Sequence, residues 1–470
     1  MRELTAKYKE DIMSDKIFSV IDYGAKPNSK EIQTDAVQKA LDACFLSGGG
    51  EVILPTGTYI IGDVRVRSNT TLHLMENACL MGSLDAADYD HINSDTLEPL
   101  PTESNPQIER FYPHEWKGLE YDPIKQINAV GNHWNHGIIR AAYAENISII
   151  GERGSCIDGG NVYDPCGEEK YRGPHAINMH FCKNLTFKGY SVKNSSNWAH
   201  AIYETENLKF ENVSVYGGHD GIHPTACDNV IISDCTLITG DDGVAGFDNL
   251  DVVVRNCEIS SACSAFRFGG NNILVENCNV YGPSAYQFRG SFTPEEKEAG
   301  LPTSAVARNN MLSFWTNWVD DRLPVRRPTG KIRVRNCTVN NADRFLHLNL
   351  SGNEPWQKGV PPTDIAFENI KAENTKLGIT AYGKEGCPLS LTFKNMEYSH
   401  REGSEDLPVI RTAFCDEINL DGFKVKNYKG QSLIRTWSEG IKFNISNLEC
   451  DLGDGELIAF ADEEFICKPI

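Results

Sequence analysis

Short segments in which apolar and polar residues alternate, and which close on Asn or Asp, recur along the chain. NLTFKG begins at Asn184, NLKFEN at Asn207, NVIISD at Asn229, DVVVRN at Asp251 and NILVEN at Asn272. KIRVRN, DIAFEN, LTFKN and KFNISN follow from Lys331, Asp364, Leu391 and Lys442. Alternation of this kind marks strands with one buried face. The residue after each segment gives the repeat: Cys235 to Cys257 is 22 residues, and Cys257 to Cys278 is 21. So short a repeat has no room for a crossover helix. Each repeat therefore predicts one coil of a few short strands, stacked in parallel at about 4.8 Å per rung. The expected fold is all-β, a single-stranded parallel β-helix that takes residues 1–470 as one domain.

In such a stack Cys235, Cys257, Cys278 and Cys337 share one inward column. Buried thiols suit it, and a metal does not, because residues of a ladder do not converge. The turn asparagines, Asn256 and Asn277 among them, are expected to form an amide ladder that satisfies backbone groups. Ahead of the repeats, Thr34 is placed to cap a helix whose Val37, Leu41, Cys44 and Phe45 share a face, with Gly48, Gly49 and Gly50 ending it. This helix is expected to cover the open end of the β-helix, where bare strand edges invite pairing with other chains. Two stretches, from about Pro99 to Asn135 and from Ser291 to Thr329, read as long excursions able to border a groove.

Composition narrows the function classes. Apolar residues make up 40% of the chain, enough for an extended core, and no run long enough to span a membrane occurs. Acidic residues number 65 against 45 basic ones, a net charge of −20 that argues against a nucleic-acid surface. Fifteen cysteines, an odd count with no CxxC pair, fit reduced thiols better than a disulfide framework. The opening MRELTAKYKEDIMSDK is charged throughout and lacks the apolar stretch of a secretory signal, so a cytoplasmic location is expected. A signal removed earlier would leave the same sequence.

Once the repeat is known, chemistry can be read from columns of neighbouring coils. HDGIHP from His219, DDGVAG from Asp241, SAFRFG from Ser264 and SAYQFR from Ser284 align so that Asp220, Asp242, Ser264 and Ser284 stack. His223, Ala245, Arg267 and Gln287 form a second column, and Asp241 lies beside the stack. Clustered carboxylates repel, which raises at least one pKa and supplies an acid and a base in one place. A calcium site is the competing reading. It would want more carbonyl and carboxylate ligands, and no DxDxDG pattern occurs. Arg267 and Arg289 then fall where they can bind an anionic or hydroxyl-rich ligand. Each also fits a structural salt bridge.

At this point the residues resemble the polygalacturonase family of pectin glycosidases, glycoside hydrolase family 28. The likeness runs from FSVIDYGAKPNSKEIQTDAVQKALDAC and GGGEVILPTGTYIIG through NTTLHLMENACLMGS and AENISIIGERGSCIDGG. It continues in NSSNWAHAIYETENLKFENV, GHDGIHP and GDDGVAG, so that residues 17 to 375 are covered and residues 376–470 are further C-terminal coils. The resemblance implies a right-handed, pectin-lyase-like β-helix that hydrolyses glycosidic bonds with inversion. It implies Asp241 as general acid, with Asp220 and Asp242 holding and deprotonating the attacking water, although turn geometry decides whether Asp241 or Asp242 is the acid. Inversion needs acid and base carboxyls about 6.5 to 9.5 Å apart.

Departures from the family are concentrated around these aspartates. Gly218 and His219 replace the Asn and Thr before the first aspartate, and His223 replaces the aspartate after Gly-Ile. Cys263, Ser264 and Ala265 stand where the family has Gly-His-Gly. Gln287, Phe288 and Arg289 stand where it has Arg-Ile-Lys. Arg267 is a candidate for the lost arginine, and His219 or His223 for the lost histidine. Tyr286, Trp315 and Trp318 are candidates for a sugar platform, with Trp198 and Tyr203 preceding them and His200 able to reach the cleft or to pack. The leading expectation is an exo-acting inverting hydrolase of a pectin-derived or related oligosaccharide, without cofactor or metal. A lyase, epimerase or transferase on the same scaffold, and a non-catalytic glycan-binding β-helix, are the alternatives. Oligomeric state is not legible.

Overall fold

Strands of alternating pattern stack their apolar side chains rung upon rung, and this is the principle of the whole structure. The computed structural model of the chain describes residues 16–89, 136–289, 293–298, 309–319, 329–352, 354, 356–462 and 465. Contacts group the chain into two compact units, Met1–Asp241 with Tyr286–Ala307, and Asp242–Ala285 with Arg308–Ile470. Both are parallel β-helices, and the expected all-β fold is the one observed.

In the first unit three strand columns run in register. One column holds Gly50–Leu54, Thr70–Leu74, Glu145–Gly151, Lys183–Lys188, Glu206–Glu211 and Asp228–Ser233. A second holds Gly57–Ile61, Ala78–Gly82, Cys156–Asp158, Ser191–Lys193, Ser214–Gly217 and Thr236–Thr239. The third holds Val64–Arg65, Gly137–Ala142, His175–His180, His200–Tyr203 and Ile222–Thr225. Inward residues pair with their own kind: Leu185 with Leu208 and Phe187 with Phe210, whose rings stack at 4.7 Å.

From Thr70–Leu74 onward, each strand of the first column starts at a sharp turn held by an asparagine. Asn146, Asn184, Asn207 and Asn229 all have φ between 56° and 60°. Asn is the non-glycine residue that tolerates this left-handed backbone best. Their side-chain amides hand on one hydrogen bond per rung, from Asn229 to Asn207, to Asn184 and to Asn146, at 2.8–3.0 Å. At the closing turns, where the sequence led one to expect an amide ladder, Asn277 donates to Asn256 at 3.4 Å.

The helix Thr34–Leu46 buries Val37, Ala40, Leu41 and Cys44 against the strands Ile17–Ser19, Gly50–Leu54 and Val64–Arg65. Thr34 does not cap it. Gln33 occupies the cap position without a side-chain bond, and the Thr34 hydroxyl instead accepts the Gly62 N–H at 2.8 Å. At the helix end Gly49 has φ 115°, and a side chain there would meet the Asn69 carbonyl at 2.5 Å.

The second unit repeats the plan with longer strands, Val244–Arg255, Ser264–Glu276, Gly330–Asn340, Asp364–Thr375, Ser390–His400 and Glu417–Lys426. A companion column follows through Met311–Asn317, Ala342–Asn349, Leu377–Tyr382, Ile410–Ala413, Ser432–Thr436 and Glu456–Phe460. Phe367 and Phe393 stack inside at 5.4 Å. Cys257, Cys278 and Cys337 are buried free thiols in this unit, as Cys235 is in the first.

The excursion expected from Pro99 to Asn135 lies outside the described residues. That from Ser291 to Thr329 contains the short helix Pro294–Glu298 and the strand Met311–Asn317. The strand supplies the next rung: Arg267 pairs with Thr316 and Ser264 with Ser313, rather than with Gln287 and Ser284. SAYQFR rhymes with SAFRFG, but the coil is completed only by the later segment, whose buried pattern extends over the full strand.

Candidate active site

Turns that enter the third strand column carry the chemistry of the first unit. Asp220 sits in the turn 218–221, and its Oδ2 lies 2.7 Å from Nδ1 of His223. The His223 ring stacks on Trp198, with centroids 3.6 Å apart. Asp220 and His223 are 4% and 1% exposed, so the pair is withdrawn from water and its imidazole plane is fixed. Trp198 is thus a platform for His223 and not merely core. His200, the rung neighbour of Ile222, belongs to the core: Nε2 meets the Tyr190 hydroxyl at 2.9 Å, Nδ1 meets the Gly221 carbonyl at 3.1 Å, and Phe187 and Phe210 flank the ring. Both nitrogens are engaged there. Burial lowers its pKa to about 4.

Asp241 is held by a residue that no strand pattern points to. Arg172, itself buried, donates from Nη2 to Asp241 Oδ2 at 3.3 Å and from Nη1 to Asn197 Oδ1 at 3.3 Å. Its Nε faces Glu169 at 3.2 Å and Glu168 at 3.6 Å. The Asn197 amide donates to Glu168 at 3.3 Å. Burial pushes the Glu168 carboxyl up to about 7; Arg172 and the Asn197 bond oppose this, whereas Glu169 and Asp220 add to it. A carboxyl with a raised pKa was expected among the aspartates, and Glu168 is one beside them. Arg172 remains a cation, with a pKa raised above the usual guanidinium value by these carboxylates despite burial.

His219 stacks on Tyr171 at 6.3 Å. It is 2% exposed, and neither ring nitrogen has a hydrogen-bond partner among the described residues. Burial first, then Arg172, His175 and Arg289, drives its pKa well below 6.5, so it is a neutral imidazole. Arg289 lies over the Tyr171 ring at 4.2 Å, pairs with Glu296 at 3.0 Å, and donates its backbone N–H to the Gly218 carbonyl at 3.1 Å. Tyr286 and Gln287 are partly exposed beside it. The Gln287 carbonyl passes so close to Gly240 that a Cβ there would sit 1.8 Å from it. Glycine before Asp241 is therefore required by backbone contact.

In the second unit Asp242 is fully buried. Its Oδ1 accepts the Ser264 N–H at 2.9 Å, and its Oδ2 meets Arg267 Nε at 2.7 Å. Arg267 also reaches the Cys263 sulfur at 3.4 Å and lies over the rings of Trp318 and Trp356, at 5.7 and 5.1 Å. A cation at Asp242 would have to displace this guanidinium. Trp315 is no platform. It alternates inward on its strand, is fully buried, and stacks on Phe266 at 5.3 Å.

Sequence reasoning thus missed Glu168, Tyr171 and Arg172. All three lie in the turn 159–174, which enters the third column at His175. The equivalent turns 194–199 and 218–221 are far shorter. Extra length at the position that later carries Asp220 is the signal that would have found them.

Residues 125–276 match the family described as glycosyl hydrolases family 28. A probable polygalacturonase of Vitis vinifera is 24% identical over 239 residues, 48% of this chain and 43% of that protein. The plasmin and fibronectin-binding protein A of Streptococcus pneumoniae (strain ATCC BAA-255 / R6) is 29% identical over 196 residues, 38% of this chain and 25% of that protein. The chain spans less than half the length of these curated relatives. The crystal structure of a hyperthermoactive exopolygalacturonase from Thermotoga maritima superposes with a TM-score of 0.60 at 15% identity, over 94% of this chain and 95% of that one, and shows a shared fold. The match spans the coils that bear Asp220, Asp241 and Asp242, so this part of the chain is similar to glycoside hydrolase family 28.

Proposed function

We propose that the chain is an inverting glycoside hydrolase acting from the end of a pectin-derived or related oligosaccharide that differs from plain polygalacturonate. The observation that carries this reading is the pairing of two buried carboxylates in the first unit with different basic partners, Asp220 with the His223 imidazole and Asp241 with the Arg172 guanidinium. Such unlike settings are what an acid and a base in one reaction require. In the reaction a water oxygen attacks the anomeric carbon, and the bond to the leaving oxygen breaks. The leaving oxygen takes a proton from Asp241 or its chain neighbour Asp242, and the water gives one to the remaining carboxylates, Asp220 among them.

The substrate is inferred from what has changed. Gln287 offers no charge where the family grips a carboxylate, and Arg289 is tied to Glu296 and Tyr171. The polygalacturonase of Vitis vinifera supports a pectin-like glycan in general. Action from a chain end is supported by the likeness to an exopolygalacturonase of Arabidopsis thaliana. Reducing-sugar release over a panel of uronic and neutral oligosaccharides tests the activity, with the anomer of the first product read by NMR. Asp241→Asn is expected to lower the rate by about 10²-fold or more. Undiminished turnover in that variant overturns the assignment, and an unsaturated product absorbing in the ultraviolet would make the chain a lyase. The altered substrate contacts favour a second reading, glycan binding without turnover. It predicts binding with no product from any oligosaccharide of the panel.

A further inference from the structure

Cysteine occupies two unlike settings in this chain. Cys235, Cys257, Cys278 and Cys337 are buried thiols. Cys79 and Cys156 belong instead to an outward column of the first unit, which reads Thr58, Cys79, Cys156, Ser191, Ser214 and Thr236 from rung to rung. The next residue on each strand, Leu80 and Ile157, takes the inward position and is fully buried. The other four members of the outward column carry hydroxyls, so core packing does not call for sulfur here. Two cysteines meet on adjacent rungs in a place where serine or threonine serves elsewhere.

Their geometry is that of a pair ready to join. Direct partners in parallel strands have Cα atoms about 4.8 Å apart, inside the span of roughly 4.4 to 6.8 Å that a disulfide bridges. The Sγ atoms of Cys79 and Cys156 are 2.9 Å apart, and both residues are thiols. A bond of about 2.05 Å requires them to close by less than about 1 Å. Cys79 is partly exposed and Cys156 is 7% exposed, so the pair opens to solvent on the Cys79 side. With the hydrogen between them kept on Cys79, that bond outweighs burial and, helped by Lys193, lowers the pKa of Cys156. Cys156 is the thiol that ionises first, and the thiolate is the reactive form.

We propose that Cys79 and Cys156 form a two-electron oxidation site, at which a low-molecular-weight disulfide of the glutathione class converts the two thiols into a bridge between adjacent rungs. The Cys156 thiolate attacks one sulfur of the reagent, whose S–S bond breaks and releases one thiolate. The Cys79 sulfur then attacks Cys156 in the mixed disulfide and expels the second. One S–S bond is broken and one formed, and the two protons and two electrons lost by the cysteines leave on the reagent as two thiols. The bridged residues are 77 positions apart in the chain, so the bond restricts the unfolded chain strongly and raises stability. Excess thiol reverses it. The pair acts whether or not the chain is a glycosidase.

The full chain, reduced and then held in mixtures of glutathione and glutathione disulfide, tests this. Remaining thiols are alkylated on quenching, and the tryptic peptides are mapped by mass spectrometry. A bridge from Cys79 to Cys156 is expected, with the protein lighter by two hydrogens and a thermal midpoint higher by about 3 °C, which dithiothreitol returns to the reduced value. Cys79→Ser and Cys156→Ser should each abolish the bridge and the rise. Cys166 is exposed and shares a tryptic peptide with Cys156, so Cys166→Ser is run in parallel and should keep both. A wild type that stays reduced in glutathione disulfide alone, or that carries glutathione on Cys79 or Cys156 without bridging, overturns the proposal. So does a bridge that survives Cys79→Ser or Cys156→Ser, one that is lost in Cys166→Ser, or a bridged chain with an unchanged thermal midpoint. The bridge of the wild type is read without any substitution, so a variant that fails to fold leaves the test standing.

Discussion

Glu168 is a carboxyl whose protonation changes near neutral pH, and its setting makes two separate measurements speak to it. Its carboxyl is pushed up to about 7 by burial, and Arg172 links it to Asp241. As pH rises through 7, a negative charge appears beside Asp220 and competes with Asp241 for Arg172. The pH profile of kcat/KM is therefore expected to carry a limb near 7 that Glu168→Gln abolishes. Stability has its own sign. A folded pKa above the unfolded value near 4.5 means the folded chain holds a proton that the unfolded chain has lost, so this group weakens folding as pH rises from about 4.5 to 7. Urea midpoints of the Gln variant should lose that decline. A limb that persists in Glu168→Gln assigns it to another group. Asp220, Asp241 and Asp242 were legible in the sequence because the repeat places them. Glu168 and Arg172 were not, because they come from an irregular turn in which no periodicity says which side chain turns inward.

At the scale of the element, the Asn ladder is the device that lets one short pattern be reused. Each asparagine both adopts a left-handed backbone and hands a hydrogen bond to the next rung, so register and turn are set by the same side chain. Asn207 donates to Asn184 and accepts from Asn229, each bond within 3.0 Å, at φ 60°. Asn207→Ala removes two bonds, at about 1 kcal/mol apiece, and puts a Cβ without a compensating bond in the left-handed region at about 1 to 2 kcal/mol. A loss of about 3 kcal/mol is expected by urea unfolding, and Asn207→Gly, which keeps the backbone free, should lose less. Equal losses in the two variants would show that backbone strain contributes nothing. The strands and this ladder were legible because they repeat. The rung after Arg267 was misread for the same reason, since a chance rhyme, SAYQFR, repeats the pattern without completing a coil.

For the whole molecule, pH acts through two opposing sets of groups. With 65 acidic residues and a net charge of −20, mild acidification relieves self-repulsion and favours the compact state. Buried imidazoles act in the other direction. His180 is pushed down to about 3 and His200 to about 4, in both cases chiefly by burial, and His219, His347 and His400 are lowered too. Unfolded, each takes a proton below about 6.5; folded, each refuses it until the lower value. Their contribution is complete above 6.5 and is lost as pH falls, by up to about 1.4 kcal/mol per pH unit for each group. Several histidines titrating together outweigh a diffuse charge effect that salt screens, so stability should fall steeply from pH 6.5 toward pH 4. His180 isolates the cause, because its ring nitrogens have no partner among the described residues and its ring stacks on Tyr203 at 4.6 Å. Phenylalanine fits such a site. His180→Phe is expected to match or exceed the wild type at pH 7.5 and to hold a growing advantage at pH 6, 5.5 and 5 in urea unfolding. Because the net charge of the rest of the chain is common to both proteins, the difference between them cancels self-repulsion and reads the histidine alone. A difference that stays flat across that pH range would place the acid sensitivity elsewhere.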